Sequence, residues 1–475
     1  MNIDQAIKKT KTSKVLHRSL PGERFTPYSL AKKLGAKALL ESSSLQKGKE
    51  RYSILLVEPA FSILQRGEEQ FFQSSEGRRR IKHGGRDILD TLRHFSEQHG
   101  GYSDEIPLPA GGIGFLSYEY ATHFDRIRLE DRPGIEEVPD AAFLFGHIYL
   151  VFDHYSDKIH LLGLNYRERS IDLEQTMDRL EQRLNDRDFN YLVEGPRKYH
   201  SVLQTKPGEQ EHFLRGVEKL KKEIAAGNLL QGVLSRRLYI RSDIPAIEAY
   251  RELRSANPSP YLFYLDFGSF QLFGSSPEVH VKLKNGRAEI HPIAGTRRRG
   301  ADAEEDRRLA EELANDQKER SEHLMLVDLA RNDLGRFCRP GSVRVDKFME
   351  VENYSHVMHL VSVVGGTPEE TASGVEAIRR TFPAGTVSGA PKIRAMEIIN
   401  SIEPERRSFY AGLVGYLASD RSVDTCIAIR SALKIGDTLV LQAGAGIVYD
   451  SQPLRELEET NEKLRALAGA VGVEV

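Results

Sequence analysis

The 475-residue sequence has no tryptophan and only two cysteines, Cys338 and Cys426. Two thiols far apart, in no Cys-x-x-Cys or Cys/His pattern, exclude a disulfide framework and a zinc site. An excess of one charge sign is also missing. Lys and Arg number 67 against 69 Asp and Glu, a net charge of -2, so there is no global basic field to hold a polyanion and no nucleic-acid partner is expected. Long apolar runs are absent as well: residues 261–265 form one of the longest, far short of the roughly 20 that cross a bilayer. The opening stretch 1–14 lacks the apolar core of a signal peptide. The expectation is a soluble, cytoplasmic protein with no membrane partner. Without internal repeats or low-complexity tracts, solenoids and propellers drop out.

What is present is ordinary globular material, 40% hydrophobic and 29% charged, long enough for two or three domains. Strand-like runs at 53–57, 112–116 and 143–152 accompany one charged helical segment, 171–184. A polar stretch, 185–211, carries Pro196 and Pro207 and is read as the boundary between an N-terminal region, 1–190, and a second domain, 209–475. There Phe213, Val217, Leu220 and Ile224 recur at helical spacing and Gly227-Asn228 supplies a stop. Strands are predicted at 232–240, 260–267, 270–275 and 279–284, then one long helix over 303–332. A helix opening at Pro391, a meander of strands at 410–417, 425–435 and 438–445, and a final amphipathic helix through Leu454, Leu457, Leu464 and Leu467 complete the chain. Strands joined this tightly are mostly antiparallel. The expected class is α+β, with mostly antiparallel sheets packed together and flanked by helices.

Several residues could carry chemistry. Glu319 and Glu322 stand three apart on a predicted helix, and Glu456 and Glu459 repeat the spacing, so each pair projects from one helix face. If the two helices face each other, four carboxylates make a hard oxygen site for Mg²⁺. Spacing alone favours two solvated acidic faces, because this pattern is common on charged helices. His359 lies in an apolar strand-like run, where a core histidine bonded to backbone is the commoner outcome. Arg430, between Ile429 and Ser431, needs either a structural carboxylate or an anionic ligand, and both readings stand equal. The loop 385–392 misses the phosphate-loop pattern because Pro391 interrupts it, and a tight turn is the simpler account. The basic runs 78–80 and 297–299 read as solvated loop edges. No nucleophile constellation is visible, so hydrolysis of glutamine by this chain is not expected.

Read together, several strings are far more specific than any one of them. They are Gly227-Asn228-Leu229-Leu230-Gln231, Asn257-Pro258-Ser259-Pro260-Tyr261, Gly274-Ser275-Ser276-Pro277-Glu278, Pro292-Ile293-Ala294-Gly295-Thr296-Arg297, the run from Glu322 to Asp333, and Ala443-Gly444-Ala445-Gly446-Ile447 with Glu456-Leu457-Glu458-Glu459-Thr460. They resemble the chorismate-utilising enzymes, and within these the large subunits (component I) of anthranilate synthases. The likeness is dense from about residue 209 to 467; before that Leu39-Leu40-Glu41-Ser42 is the main landmark.

The resemblance implies that Glu322 and Glu459 hold Mg²⁺ with Glu319 and Glu456 beside them, and that the ion meets one carboxylate of chorismate. It assigns the other carboxylate to Arg430 and Tyr410, helped by backbone N–H groups near Gly444 and Gly446, with Gly295 and Thr296 lining the pocket. Glu278 becomes the general acid toward the departing C4 hydroxyl, a role that needs a raised pKa, and His359 is linked to the later loss of pyruvate. Gln231 replaces the water-activating lysine of isochorismate and salicylate synthases, which suits ammonia as nucleophile. Ala294 replaces a lysine typical of aminodeoxychorismate synthases. The implied reaction turns chorismate and ammonia into anthranilate and pyruvate in tryptophan biosynthesis, with a separate glutamine amidotransferase subunit (component II) as ammonia source. Glu41 and Ser42, together with Asn257, Pro260, Tyr261 and Leu262, would bind tryptophan as feedback inhibitor. Leu262 stands where methionine is common in the family, and Tyr52-Ser53 where some relatives have Lys-Ser. The alternatives are an aminodeoxychorismate synthase or a catalytically silent amino-acid-sensing homologue.

Overall fold

The structure is a computed structural model describing residues 14–42, 51–82, 85–102, 105–186, 199–204, 206–353, 357–370 and 372–475, apart from the side chain of Thr296. About half of the stretch read as a domain boundary, and nearly all of the opening 1–14, lie outside the described residues. The fold is α+β, and its strand pairings are antiparallel. No helix among the described residues is long and apolar enough to cross a membrane.

The strands form two ladders. The first runs Ser201–Gln204, Gln231–Ser242, Thr438–Ile447, Ser431–Ile435, Gln271–Ser276, Tyr261–Asp266, Ala38–Glu41. The second runs Ile113–Leu116, Leu413–Leu417, Val423–Ile427, Val279–Lys284, Arg287–Ile290, Val357–Gly366, the last flanked by Ile293–Arg298 and Arg344–Asn353. Two long strands, Tyr52–Arg66 and Ala141–Asp153, join them: Leu55 pairs with Leu39 of the first ladder, while Phe143 pairs with Gly114 of the second. Between those ends the register shifts around Glu58 and Pro59, where irregular pairing lets the ribbon bend.

Period-2 alternation divides the core. Phe263 and Leu265 turn inward and meet Val281, Val414 and Cys426 of the second ladder in one apolar cluster. Their neighbours Leu262 and Tyr264 point the other way, into a second cluster with Tyr250 and Leu253 of one helix and Leu464 and Leu467 of the last. Both clusters draw on residues from either side of the expected boundary, Phe115 and Ile54 beside Leu433, and Leu39 beside Leu441.

Local corrections matter for the site. The helix predicted over 303–332 is two helices, Ala303–Asn315 and Gln317–Gly335, because the Asp316 side chain accepts the N–H groups of Lys318 and Glu319 and caps a new start. The strand predicted over 425–435 breaks into Val423–Ile427 and Ser431–Ile435, and Arg430 in the connector takes a left-handed φ of 50°. Pro391 caps helix Lys392–Ile402 rather than opening it. Arg297 is no solvated edge: it binds Asp316 at 2.7 Å and Glu319 at 3.2 Å.

Candidate active site

The two carboxylate pairs sit on helices Gln317–Gly335 and Pro453–Gly469. Burial pushes the Glu322 carboxyl up; Lys318 opposes this, and the negative fields of Glu319, Glu459 and Glu456 add to it. Glu456 is likewise raised by burial and by Glu459. Helices whose acids feel each other in this way face one another, which overturns the reading as two solvated faces. Cations hold the repulsion in check: Lys463 binds Glu459 at 2.6 Å and Lys318 approaches Glu322 at 3.7 Å.

An all-carboxylate donor set suits a hard divalent ion such as Mg²⁺, which keeps waters and needs one or two protein carboxylates plus substrate oxygens. Among the described residues no three acidic, histidine or cysteine groups come together as a possible metal-ion site.

Opposite these helices lies the basic side of the site. The half-buried Arg430 guanidinium makes no hydrogen bond or ion pair among the described residues, although withdrawal from water lowers its pKa, opposed by the fields of Tyr410 and Glu459. A guanidinium so placed is able to take an anionic ligand. Tyr410 is buried, with its hydroxyl pushed up to about 12, and the Gly444 N–H donates to it. A Cβ on Gly444 would stand 3.1 Å from that hydroxyl, so glycine is what permits the approach.

Glu278 lies between strands Gln271–Ser276 and Val279–Lys284, 8% exposed, its backbone carbonyl held by Ile427 N–H at 3.0 Å. Burial raises its carboxyl to about 7, while the Thr386 hydroxyl and the Lys463 ammonium pull it down. His359 stands on strand Val357–Gly366 opposite Thr296. Its Nδ1 meets the Gly295 carbonyl at 2.9 Å, which assigns the proton to Nδ1 and the lone pair to Nε2. Burial lowers its pKa, the Gly295 carbonyl opposes and the Arg430 charge lowers it further, so the ring is neutral. Gly295 has φ 63° and abuts Glu319: a Cβ there would meet Glu319 Oε2 at 3.1 Å. Gln231 opens strand Gln231–Ser242, and its Nε2 would lie 2.7 Å from a Cβ on Gly446. The structure thus gathers the carboxylates, Arg430, Tyr410, His359, Gly295, Gly444, Gly446 and Gln231 around one center, with Glu278 joined to it through the field of Lys463.

Lys463 was missed by sequence reasoning. It donates to Glu459 and, at 2.8 Å, to the Gly444 carbonyl, and its charge reaches Glu278 and Glu456. Its signal was the spacing of four from Glu459, which puts both on one helix face.

The residues assigned to an inhibitor lie elsewhere. Glu41, Ser42, Pro260, Tyr261 and Leu262 line a cavity of about 510 Å³, closed on the other side by Tyr102, Ile106 and Asp424. Glu41 accepts from Tyr250 Oη at 2.7 Å and Arg254 Nε at 3.0 Å, and Tyr261 Oη donates to Asp424 at 2.7 Å. The Ser42 hydroxyl has no hydrogen-bond partner among the described residues. Asn257 is not in the cavity wall: it caps helix Ala246–Ala256 and its side chain turns to Ser275.

The chain belongs to the chorismate binding enzyme family, whose model matches residues 40–469. It is 57% identical over 458 residues to anthranilate synthase component 1 of Spirochaeta aurantia, covering 96% of this chain and 95% of that protein. Identity to anthranilate synthase component 1 of Aquifex aeolicus is 38% over 480 residues, covering 96% and 94%. The crystal structure of anthranilate synthase component I from Streptococcus pneumoniae matches with a TM-score of 0.78 at 37% identity, over 88% of this chain and 92% of that one. The menaquinone-specific isochorismate synthase of Escherichia coli, 20% identical, shares the fold with a TM-score of 0.71 over 99% and 98%.

Proposed function

We propose that the chain is the large subunit of an anthranilate synthase and converts chorismate and ammonia to anthranilate and pyruvate. The observation that carries the reading is Glu278, a buried carboxyl raised to about 7, in a site whose Arg430 guanidinium has no partner among the described residues. Such an acid holds its proton on a substantial fraction of molecules near neutral pH and can give it to a poor leaving group.

Ammonia forms a C–N bond at C2 while the ring double bonds shift and the C4–O bond breaks; Glu278 protonates the departing hydroxyl, which leaves as water. Loss of the C2 proton then breaks the bond between C3 and the enolpyruvyl oxygen, releasing pyruvate and restoring the aromatic ring. His359 Nε2 bears the lone pair facing that second step. Arg430 and Tyr410, with the Gly444 and Gly446 backbone, orient one substrate carboxylate, and Gly295 and Thr296 line the pocket. Mg²⁺ held by Glu322 and Glu459, with Glu319 and Glu456 beside it, supplies counter-charge for the other carboxylate. The Gln231 amide cannot act as a base toward water, and Ala294 offers no amine to attack C2, so ammonia is left as the nucleophile.

The ammonia comes from a glutamine amidotransferase subunit, a companion that the name component 1 of the relatives supports. Tryptophan occupies the cavity at Glu41, Ser42 and Pro260 to Leu262, formed jointly by the N-terminal region and the catalytic domain, and inhibits from there. The enzyme works in the cytoplasm as a lyase.

The test uses the purified chain with chorismate, Mg²⁺ and ammonium at alkaline pH, following anthranilate fluorescence and pyruvate together. Equal appearance of both is expected, and glutamine should be inert until the amidotransferase is added. Chorismate consumed without pyruvate would point to aminodeoxychorismate instead.

A further inference from the structure

Ser275 lies on a strand that runs between the cavity wall and the connector bearing Arg430. It is 0% exposed, on strand Gln271–Ser276, directly opposite the cavity residue Leu262. Its hydroxyl donates to the Asn257 carbonyl and accepts from the Asn257 side-chain amide at 3.4 Å. Its own N–H donates to the Arg430 carbonyl at 3.0 Å. The pairing of this strand with Ser431–Ile435 runs out at Gly274 and Ser431, so this bond continues the ladder by one residue and grips the connector that presents Arg430.

That connector is a place where small movements count. Arg430 keeps a left-handed backbone that a non-glycine residue holds when its surroundings impose it, and its guanidinium has no hydrogen-bond or ion-pair partner among the described residues. One buried serine therefore touches the end of helix Ala246–Ala256, the strand lining the cavity, and the backbone of the substrate-carboxylate arginine.

We propose that Ser275 is a positioning residue that couples occupancy of the cavity to the grip of Arg430 on chorismate. A ligand filling the space beside Leu262 shifts the segment from Asn257 to Leu262, the Asn257–Ser275 bonds carry that shift across the strand, and the Ser275 N–H hands it to Arg430. Inhibition then appears as weakened chorismate binding. This rests on the reading of the cavity as a tryptophan site.

The absence of tryptophan from the chain makes the test direct, since the emission of added tryptophan is read against no indole background. Tryptophan affinity is measured by fluorescence titration, and the chorismate KM of the ammonia-dependent reaction is measured with and without saturating tryptophan. In the unmodified chain tryptophan is expected to raise KM about tenfold or more; in Ser275→Ala the rise falls below about twofold while tryptophan Kd stays within about threefold. Ser275→Cys, which keeps the volume but weakens the hydrogen bonds, should behave alike and covers the case in which the alanine variant does not fold. A merely structural serine would lower kcat through loss of active enzyme and leave the KM ratio intact, and that result overturns the proposal. Loss of tryptophan binding together with coupling in both variants overturns it too, because Ser275 would then belong to the cavity. No tryptophan binding by the unmodified chain would sink the inhibitor reading itself.

Discussion

Two arginines close together in sequence meet opposite fates. Arg407 is 1% exposed, bonds both Glu403 oxygens at 2.9 and 2.8 Å, reaches the carbonyls of Val387 and Val233, and stacks over the Tyr118 ring at 4.5 Å. Its backbone N–H and that of Ser408 converge on Glu119. Arg430, also partly drawn from water, has none of these partners among the described residues. The first is a knot tying strand Gln231–Ser242, the turn at 385–387 and the approach to Tyr410. The second, half-buried, has no such partner among the described residues. Folding pairs its deeply buried ions, and an ionic group left without a protein partner is a candidate for binding rather than for stability.

The contrast can be broken or sharpened by experiment. Arg407→Met should cost about 3 to 5 kcal/mol, because Glu403 loses its counter-charge inside the protein, and the check is denaturant unfolding. Arg430→Ala should lower kcat/KM on the order of a thousandfold with a melting temperature unchanged or raised; a stability loss like that of Arg407 would erase the distinction.

Glu278→Gln should cost about a hundredfold in kcat. In the unmodified chain, at a fixed concentration of neutral ammonia, activity should fall as pH rises through about 7, where the carboxyl loses its proton, and the glutamine variant should lack that limb. The same raised pKa means that ionising Glu278 opposes folding, so the variant should be no less stable than the parent at pH 8.

Buried histidines supply the next effect. Burial lowers His99 and His323 to about 4 and His280 to about 3, so stability present above about 6.5 should be lost as pH falls toward these values, each contributing up to about 1.4 kcal/mol per pH unit. Thermal unfolding between pH 7 and pH 4 reads the slope. The smallest change is Gly446→Ala, whose methyl displaces the Gln231 amide; about a tenfold rise in ammonia KM is expected, with chorismate KM little altered.

Much of the fold was legible in particular residues. Phe213, Val217 and Leu220 are buried on one face of helix Glu209–Ala225, as their spacing predicted, and the 279–284 strand runs over Val279–Lys284. Asp316 was harder, because its capping competes with a helical pattern that continues through it. In the site, the spacing of Glu319 with Glu322 and of Glu456 with Glu459 was plain, and so was the discordant arginine in an apolar run. Asn257 shares a motif with the cavity residues Pro260, Tyr261 and Leu262 but is not in the cavity wall, since a backbone cap claims it. Lys463 was overlooked because its one signal, a spacing of four from Glu459, is common on charged helices.

By itself the sequence determined the class of fold, through apolar periods of two and of 3.6, and the roster of reactive groups, through residue types at helical spacing. Whether those groups do anything together depended on three-dimensional distance. That the acids of the two helices feel one another, that Arg430 finds no carboxylate among the described residues, that burial strips the Glu278 carboxylate of its hydration, and that strands from both halves of the chain enclose one cavity all came from tertiary packing. Charge and burial act over a few ångströms through space, and residues far apart in the chain have no distance between them until the strands have paired.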